Sequence, residues 1–132
     1  MRSRLKVLSG SLYPVESFFN RLGDEEFILV LDSFIRGEGV NPEDLSCVFP
    51  EGLSEDEGGP PERFGFIEFW TYAGNQEVRI SFSDFQKYLS EAAMAQMKAR
   101  PDQKVDISAR LDLVRTKISQ IEQDHLAYIA AT

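Results

Sequence analysis

Residues 63–82, RFGFIEFWTYAGNQEVRISF, decide the fold class of this chain. Arg63 to Tyr72 and Glu77 to Phe82 are runs of aromatic and β-branched residues on either side of Ala73-Gly74-Asn75-Gln76. Gly-Asn, with Gly first, suits a two-residue type II′ turn. A register set on that turn places Thr71 opposite Val78, Phe69 opposite Ile80 and Ile67 opposite Phe82, which makes one face apolar. The other face then pairs Tyr72 with Glu77, Trp70 with Arg79 and Glu68 with Ser81. A hairpin with one apolar side needs helices to cover it.

The flanking sequence supplies them. Upstream, Pro14 to Leu22 sets Val15, Phe18, Phe19 and Leu22 on one helical stripe, with Pro14 tolerated in the first turn. Gly23 breaks this helix and Asp24 can cap the next. That second helix, about Asp24 to Arg36, carries Phe27, Ile28, Val30, Leu31, Phe34 and Ile35 around most of its circumference, so it belongs at the centre of the core. Gly37 and Gly39 end it. Downstream, Ser81 or Ser83 can open a capping box for a helix running to about Ala99, which buries Phe85, Leu89 and Ala92 with Met94 or Met97 filling gaps. After a break at Pro101 and Asp102, a last helix from about Asp106 places Ile107, Leu111, Val114, Ile118, Ile121, His125 and Tyr128 on a narrow seam that can dock along another helix. A third strand from Leu5 to Leu8 would extend the sheet. The expected fold is α+β, helices packed on a small antiparallel sheet built around the hairpin. At 132 residues the chain is one domain by size, residues 1–132.

Between the second helix and the hairpin lies an acidic loop, about residues 40–62, punctuated by Asn41-Pro42, Phe49-Pro50, Gly58-Gly59 and Pro60-Pro61. Cys47-Val48-Phe49-Pro50 reads as an anchor to the core, and Leu53 to Glu62 as freely solvated. The loop is part of a larger charge asymmetry. Residues 24–62 hold twelve acids and one base, a local charge of −11, whereas the rest of the chain sums to +3. One block of one sign steers a basic partner and repels nucleic acid and anionic lipid. The bland alternative is a solvated acidic loop with no partner. Composition is that of a globular protein, 42% apolar and 27% charged. No apolar run is long enough to span a bilayer, and the N-terminus lacks the apolar region of a signal peptide. The expected location is the cytoplasm.

Residues for catalysis are sparse. His125 is the sole histidine and sits on an apolar seam, where a packed ring is the simpler reading than a general base. Cys47 is the sole cysteine, which excludes an internal disulfide, and its apolar neighbours favour an inert buried thiol over a nucleophile. No phosphate loop, nucleophile elbow or zinc spacing occurs. Glu51, Glu55, Asp56 and Glu57 lack the alternate spacing and central Gly of a calcium loop. The sequence therefore calls for no catalytic residue, no metal and no cofactor.

A protein partner fits better. Glu43, Asp44, Glu51, Glu55, Asp56, Glu57 and Glu62 supply the acidic field. Glu68, Trp70, Tyr72 and Arg79, with Glu77, mix aromatics and charge as an interface centre does. Competing roles for Trp70 are packing beneath a helix and stacking on Arg79 as a cation–π pair.

Pro14-Val15-Glu16-Ser17-Phe18-Phe19-Asn20, Asp24-Glu25-Glu26-Phe27, Cys47-Val48-Phe49-Pro50, Ile67-Glu68-Phe69, Ile80-Ser81 and Phe85-Gln86-Lys87-Tyr88-Leu89 occur in an order that resembles the immunity proteins of bacterial contact-dependent growth inhibition. The group it is similar to is paired with ribonuclease toxins, and the likeness spans about residues 14–95. It implies a small cytoplasmic protein with no catalysis of its own, which binds a cognate toxin nuclease domain and blocks its basic active-site cleft, as a monomer or a 1:1 complex. Rival readings are an acidic adaptor or subunit docking through the last-helix seam, and a small hydrolase using acidic residues.

Overall fold

The computed structural model describes residues 4–5, 10–72 and 75–132. After a short 3-10 turn the order is α1 (Tyr13–Arg21), α2 (Asp24–Ile35), β1 (Leu45–Val48), α3 (Pro50–Glu57), β2 (Ile67–Thr71), β3 (Gln76–Ile80), α4 (Phe82–Ala99) and α5 (Lys104–Ala131). The fold is α+β, with a three-stranded antiparallel sheet in the order β1-β2-β3. The hairpin, both N-terminal helices and both C-terminal helices stand where the sequence placed them.

One face of the sheet is buried; the other is partly open, with Ser46 covered on it. Leu45, Cys47, Ile67, Phe69, Thr71 and Ile80 are buried, while Val48, Glu68, Trp70, Glu77 and Arg79 alternate with them on the outer face. The inner face meets α1 and α4. Phe69 lies 5.4 Å from Phe18 and 6.1 Å from Phe85, ring centre to ring centre. Phe34 of α2 stacks on Phe49 at 5.1 Å and meets Phe85 edge-on at 5.3 Å, so six phenylalanines from three helices, β2 and the β1–α3 junction form a continuous aromatic centre. Met97 packs against the core, but Met94 is exposed. The seam of α5 is used internally: Ile107, Leu111, Val114 and Ile118 are buried against α2 and α4.

Several local expectations are corrected. Among the described residues the third strand is β1, from the loop; the strand expected at Leu5 to Leu8 lies outside the described residues except for Leu5, which is buried. The loop expected to be irregular holds both β1 and α3. Pro50 starts α3 at the position where a missing N–H is harmless, and Leu53, only 3% exposed, anchors it, so this stretch is not freely solvated. The hairpin register is shifted by two residues: Ile67 pairs with Ile80, Phe69 with Val78 and Thr71 with Gln76. The connection is thus residues 72–75 and not a two-residue turn, with Asn75 in the left-handed region at φ 48°; Ala73 and Gly74 lie outside the described residues. A shift of two leaves every side chain on its face. Outer-face pairs become Trp70 with Glu77 and Glu68 with Arg79.

Caps also resolve. Ser81 is the cap of α4, its hydroxyl accepting from the Asp84 N–H at 3.0 Å. Gly23, not Asp24, caps α2, and the Glu26 carboxylate accepts the Gly23 N–H at 3.1 Å. Asp24 is drawn elsewhere. It accepts from Arg100 Nη1 at 2.9 Å and from Gln96 Nε2 at 3.0 Å, and lies 3.7 Å from the Arg4 guanidinium. Arg4, its side chain 6% exposed, donates to the carbonyls of Phe19 and Leu22, both at 2.7 Å. A leader cation thereby closes the C-terminal end of α1, where helix carbonyls lack partners.

Candidate functional site

The outer face of the sheet is the candidate site. Antiparallel pairing sets Ser46 of β1 opposite Trp70 and Val48 opposite Glu68, while β3 brings Glu77 and Arg79 to the same face. Trp70 and Tyr72 lie ring to ring at 4.2 Å. Trp70 is partly buried and Tyr72 is 51% exposed, so Tyr72 presents the larger free aromatic surface. Arg79 does not stack on Trp70. Its guanidinium sits 4.5 Å over the Phe66 ring, donates to Glu68 at 3.0 Å and lies 3.6 Å from Glu57. Two carboxylates hold it, so Arg79 ties the end of α3 to the sheet instead of offering a free cation.

That tie brings the acids of α3 to the sheet's flank. Glu55, Asp56 and Glu57 occupy the last turn of α3, where the helix dipole is negative and where no basic residue stands. Among the described residues only Glu57 of the three has an ion pair. Glu55 and Asp56 border a cavity of about 370 Å³ between α3 and β1, shared with Asn41, Ser46, Val48 and Gly52. The chain reaches β1 so closely because residue 39 is glycine: a Cβ there would lie 2.2 Å from the Cys47 carbonyl oxygen and break the Val40–Cys47 bridge. Glu43 and Asp44 stand at the start of β1, held at the Tyr72 end of the sheet by the Tyr72 N–H, which donates to the Asp44 carbonyl at 2.9 Å. Arg21 lies 3.1 Å from Asp44 and 3.9 Å from Glu43.

Glu51 and Glu62 go elsewhere. They line a second depression of about 240 Å³ with Arg36, Lys117, Ile121 and Asp124. The structure thus gathers Glu55, Asp56, Glu57, Glu68, Trp70, Tyr72 and Arg79 around one surface, sets Glu43 and Asp44 at its end, and separates Glu51 and Glu62 from it. The acid block also has structural members: Asp24 anchors the Arg4 and Arg100 network, and Asp32 accepts from Arg110 at 2.8 Å. Ser46 and Val48 were missed by the sequence reading. The alternation Leu45-Ser46-Cys47-Val48, apolar positions inward, was the available signal.

His125 and Cys47 have structural places. The His125 Nδ1 lies 2.8 Å from the Glu62 carbonyl; a carbonyl only accepts, so Nδ1 carries the proton. The ring fills the space above Gly65, where a Cβ would come within 2.3 Å of Nε2. Cys47 is buried and burial pushes its thiol well above the usual range, which keeps it protonated at neutral pH. Among the described residues no group of three or more His, Cys, Asp and Glu is placed to hold a metal ion, and no helix is long and apolar enough to cross a membrane.

Large aromatics beside an arginine are residue types enriched at protein interfaces. Residues 11–111 match the family model described as CDI immunity protein, and the chain belongs to that family. Membership implies a cognate toxin as partner. No curated protein and no solved structure matches the chain.

Proposed function

We propose that this protein is a stoichiometric inhibitor of a toxin nuclease, acting in the cytoplasm as one domain and one copy per toxin. The observation that supports it is the last turn of α3. Three consecutive acids at the negative end of a helix dipole oppose local stability, and two of them have no ion pair among the described residues. A sequence chosen for stability alone would place a cation there. A ribonuclease must attract phosphates, so its cleft is basic, and these carboxylates beside Trp70 and Tyr72 match that charge. Inhibition then follows from occupying the cleft, with Tyr72 adding apolar contact and Glu43 and Asp44 extending the negative field. Such a role asks for binding and no turnover. The first part of the seam on which an adaptor would dock, Ile107 to Ile118, is already buried against α2 and α4, which leaves only its half-exposed C-terminal part for that reading.

The test is a titration of cognate toxin nuclease activity with the purified chain. A sharp end point near one chain per toxin, unchanged in a His125→Gln, Cys47→Ala double variant, is expected. Inhibition that grows with time at sub-stoichiometric protein would overturn the reading.

A further inference from the structure

The cavity between β1 and α3 has walls of a definite chemistry. Ser46 is 7% exposed, points to the outer face opposite Trp70, and its hydroxyl has no hydrogen-bond partner among the described residues. The residue is largely covered but its hydroxyl oxygen keeps some access to solvent, so a group arriving from outside can meet it. The same depression is bordered by Glu55 and Asp56, both exposed and neither in an ion pair among the described residues, and by Asn41. Its remaining wall is apolar: Val48 stands on the strand, and Gly52 has no side chain, a Cβ there lying 3.1 Å from Val48 Cγ1. A volume of about 370 Å³ is at the small end of ligand cavities, room for one long side chain and not for a folded element.

Acceptors on one side and an apolar strip on the other fit a group with a donor-rich head and a methylene stem. A guanidinium offers five donors in a rigid plane, enough for two carboxylates and a hydroxyl at once, and is more weakly hydrated than an ammonium. We infer that this cavity receives one arginine side chain of the toxin, its stem along Val48 and its head among Glu55, Asp56 and Ser46. The inference rests on the toxin-inhibitor reading above and names the contact by which the toxin is held. A short-range contact of this kind acts on dissociation, and the exposed charge of Glu55 and Asp56 acts on encounter as well.

The experiment measures affinity of the full chain for a catalytically inactivated cognate toxin domain, with denaturation midpoints recorded for each variant. Asp56→Asn removes one charged acceptor and should weaken binding about tenfold or more. Ser46→Leu fills the cavity and should weaken it about a hundredfold; Ser46→Ala, which folds without added bulk, should weaken it several-fold. Replacing the toxin's arginines singly by lysine and alanine should reveal one arginine whose loss no longer matters once Asp56→Asn is present, a coupling of about tenfold. Wild-type binding that persists undiminished in Asp56→Asn and Ser46→Leu, or the absence of any coupled arginine, overturns the arginine contact and leaves the inhibitor reading in place. Failure of the wild-type chain to bind the toxin overturns both.

Discussion

Reversing one charge at the end of α3 should move stability and binding in opposite directions. Glu55 stands in the last helical turn, is exposed, and has no ion pair among the described residues, so Glu55→Lys removes no internal contact seen there. A cation near a helix C-terminus is favourable by about 0.3–1 kcal/mol, and removing the acid relieves a penalty of similar kind. The free protein should therefore gain a few tenths of a kcal/mol to about 1 kcal/mol. Binding should lose more. Two unit charges roughly 6 Å apart in water interact by about 0.7 kcal/mol, so exchanging an attraction for a repulsion shifts the encounter by about 1.4 kcal/mol, near tenfold in association rate at low salt. At physiological ionic strength the screening length of about 8 Å halves that energy, leaving roughly threefold. Stopped-flow association with the cognate toxin at two salt concentrations measures the ratio, and urea denaturation of the free chain measures the gain. A destabilised Glu55→Lys protein, or association rates that ignore the substitution at low salt, would refute the assignment of these acids to the partner.

Other consequences follow from the same geometry. Tyr72→Ala should weaken toxin binding by about 2 kcal/mol with little loss of stability, because half of Tyr72 is free, while Trp70→Ala, already partly buried, should lower the denaturation midpoint more than Tyr72→Ala does; the reverse order would move the anchor to Trp70. Gly65→Ala should expel the His125 ring and lose its bond to the Glu62 carbonyl, costing about 1 kcal/mol, and this cost should vanish in a His125→Ala background. Burial raises the folded thiol pKa of Cys47, so its contribution to stability is full below about pH 8.5, where the unfolded thiol is also protonated, and is lost as pH rises and the unfolded chain ionises. Wild-type protein should therefore lose stability above that pH faster than Cys47→Ala, by denaturation at matched pH, and native Cys47 should resist alkylation.

Much of this architecture was legible because its signals were periodic and long. In α2 Phe27, Val30, Leu31 and Phe34 are buried as their spacing required, with Ile28 and Ile35 only partly so, and α5 announced a buried seam through Ile107, Leu111, Val114 and Ile118. The hairpin was legible in face and not in register: Gly74-Asn75 favoured a tight turn, but residues 72–75 form a longer connection, and the period of two kept the apolar face intact through the shift. What stayed hidden was short. In α3 one buried apolar residue, Leu53, among acids and prolines gives no helical stripe to read, and four-residue β1 carries a single alternation. Asp24 could not be assigned correctly from local rules, since its partners Arg4 and Arg100 are distant in sequence and only the fold brings them to it.

The charge block shows why composition located a site without resolving it. A run of like charges read along the chain is a single feature, yet folding sorts it by neighbour. Asp24 and Asp32 receive arginines from the leader, from the end of α4 and from α5, and become cross-links between segments. Glu57 and Glu68 converge on Arg79 and fasten α3 to the sheet. Glu55 and Asp56, within two residues of Glu57, have no ion pair among the described residues, and they border the same depression as the Ser46 hydroxyl, which likewise lacks a hydrogen bond there. The cations that the fold spends on Asp24, Asp32, Glu57 and Glu68 satisfy those acids and give the scaffold its rigidity. Rigidity is what lets unsatisfied charge serve recognition, because a carboxylate held in place loses little freedom when its partner arrives. The acidic function of this chain is thus a consequence of where its few arginines go.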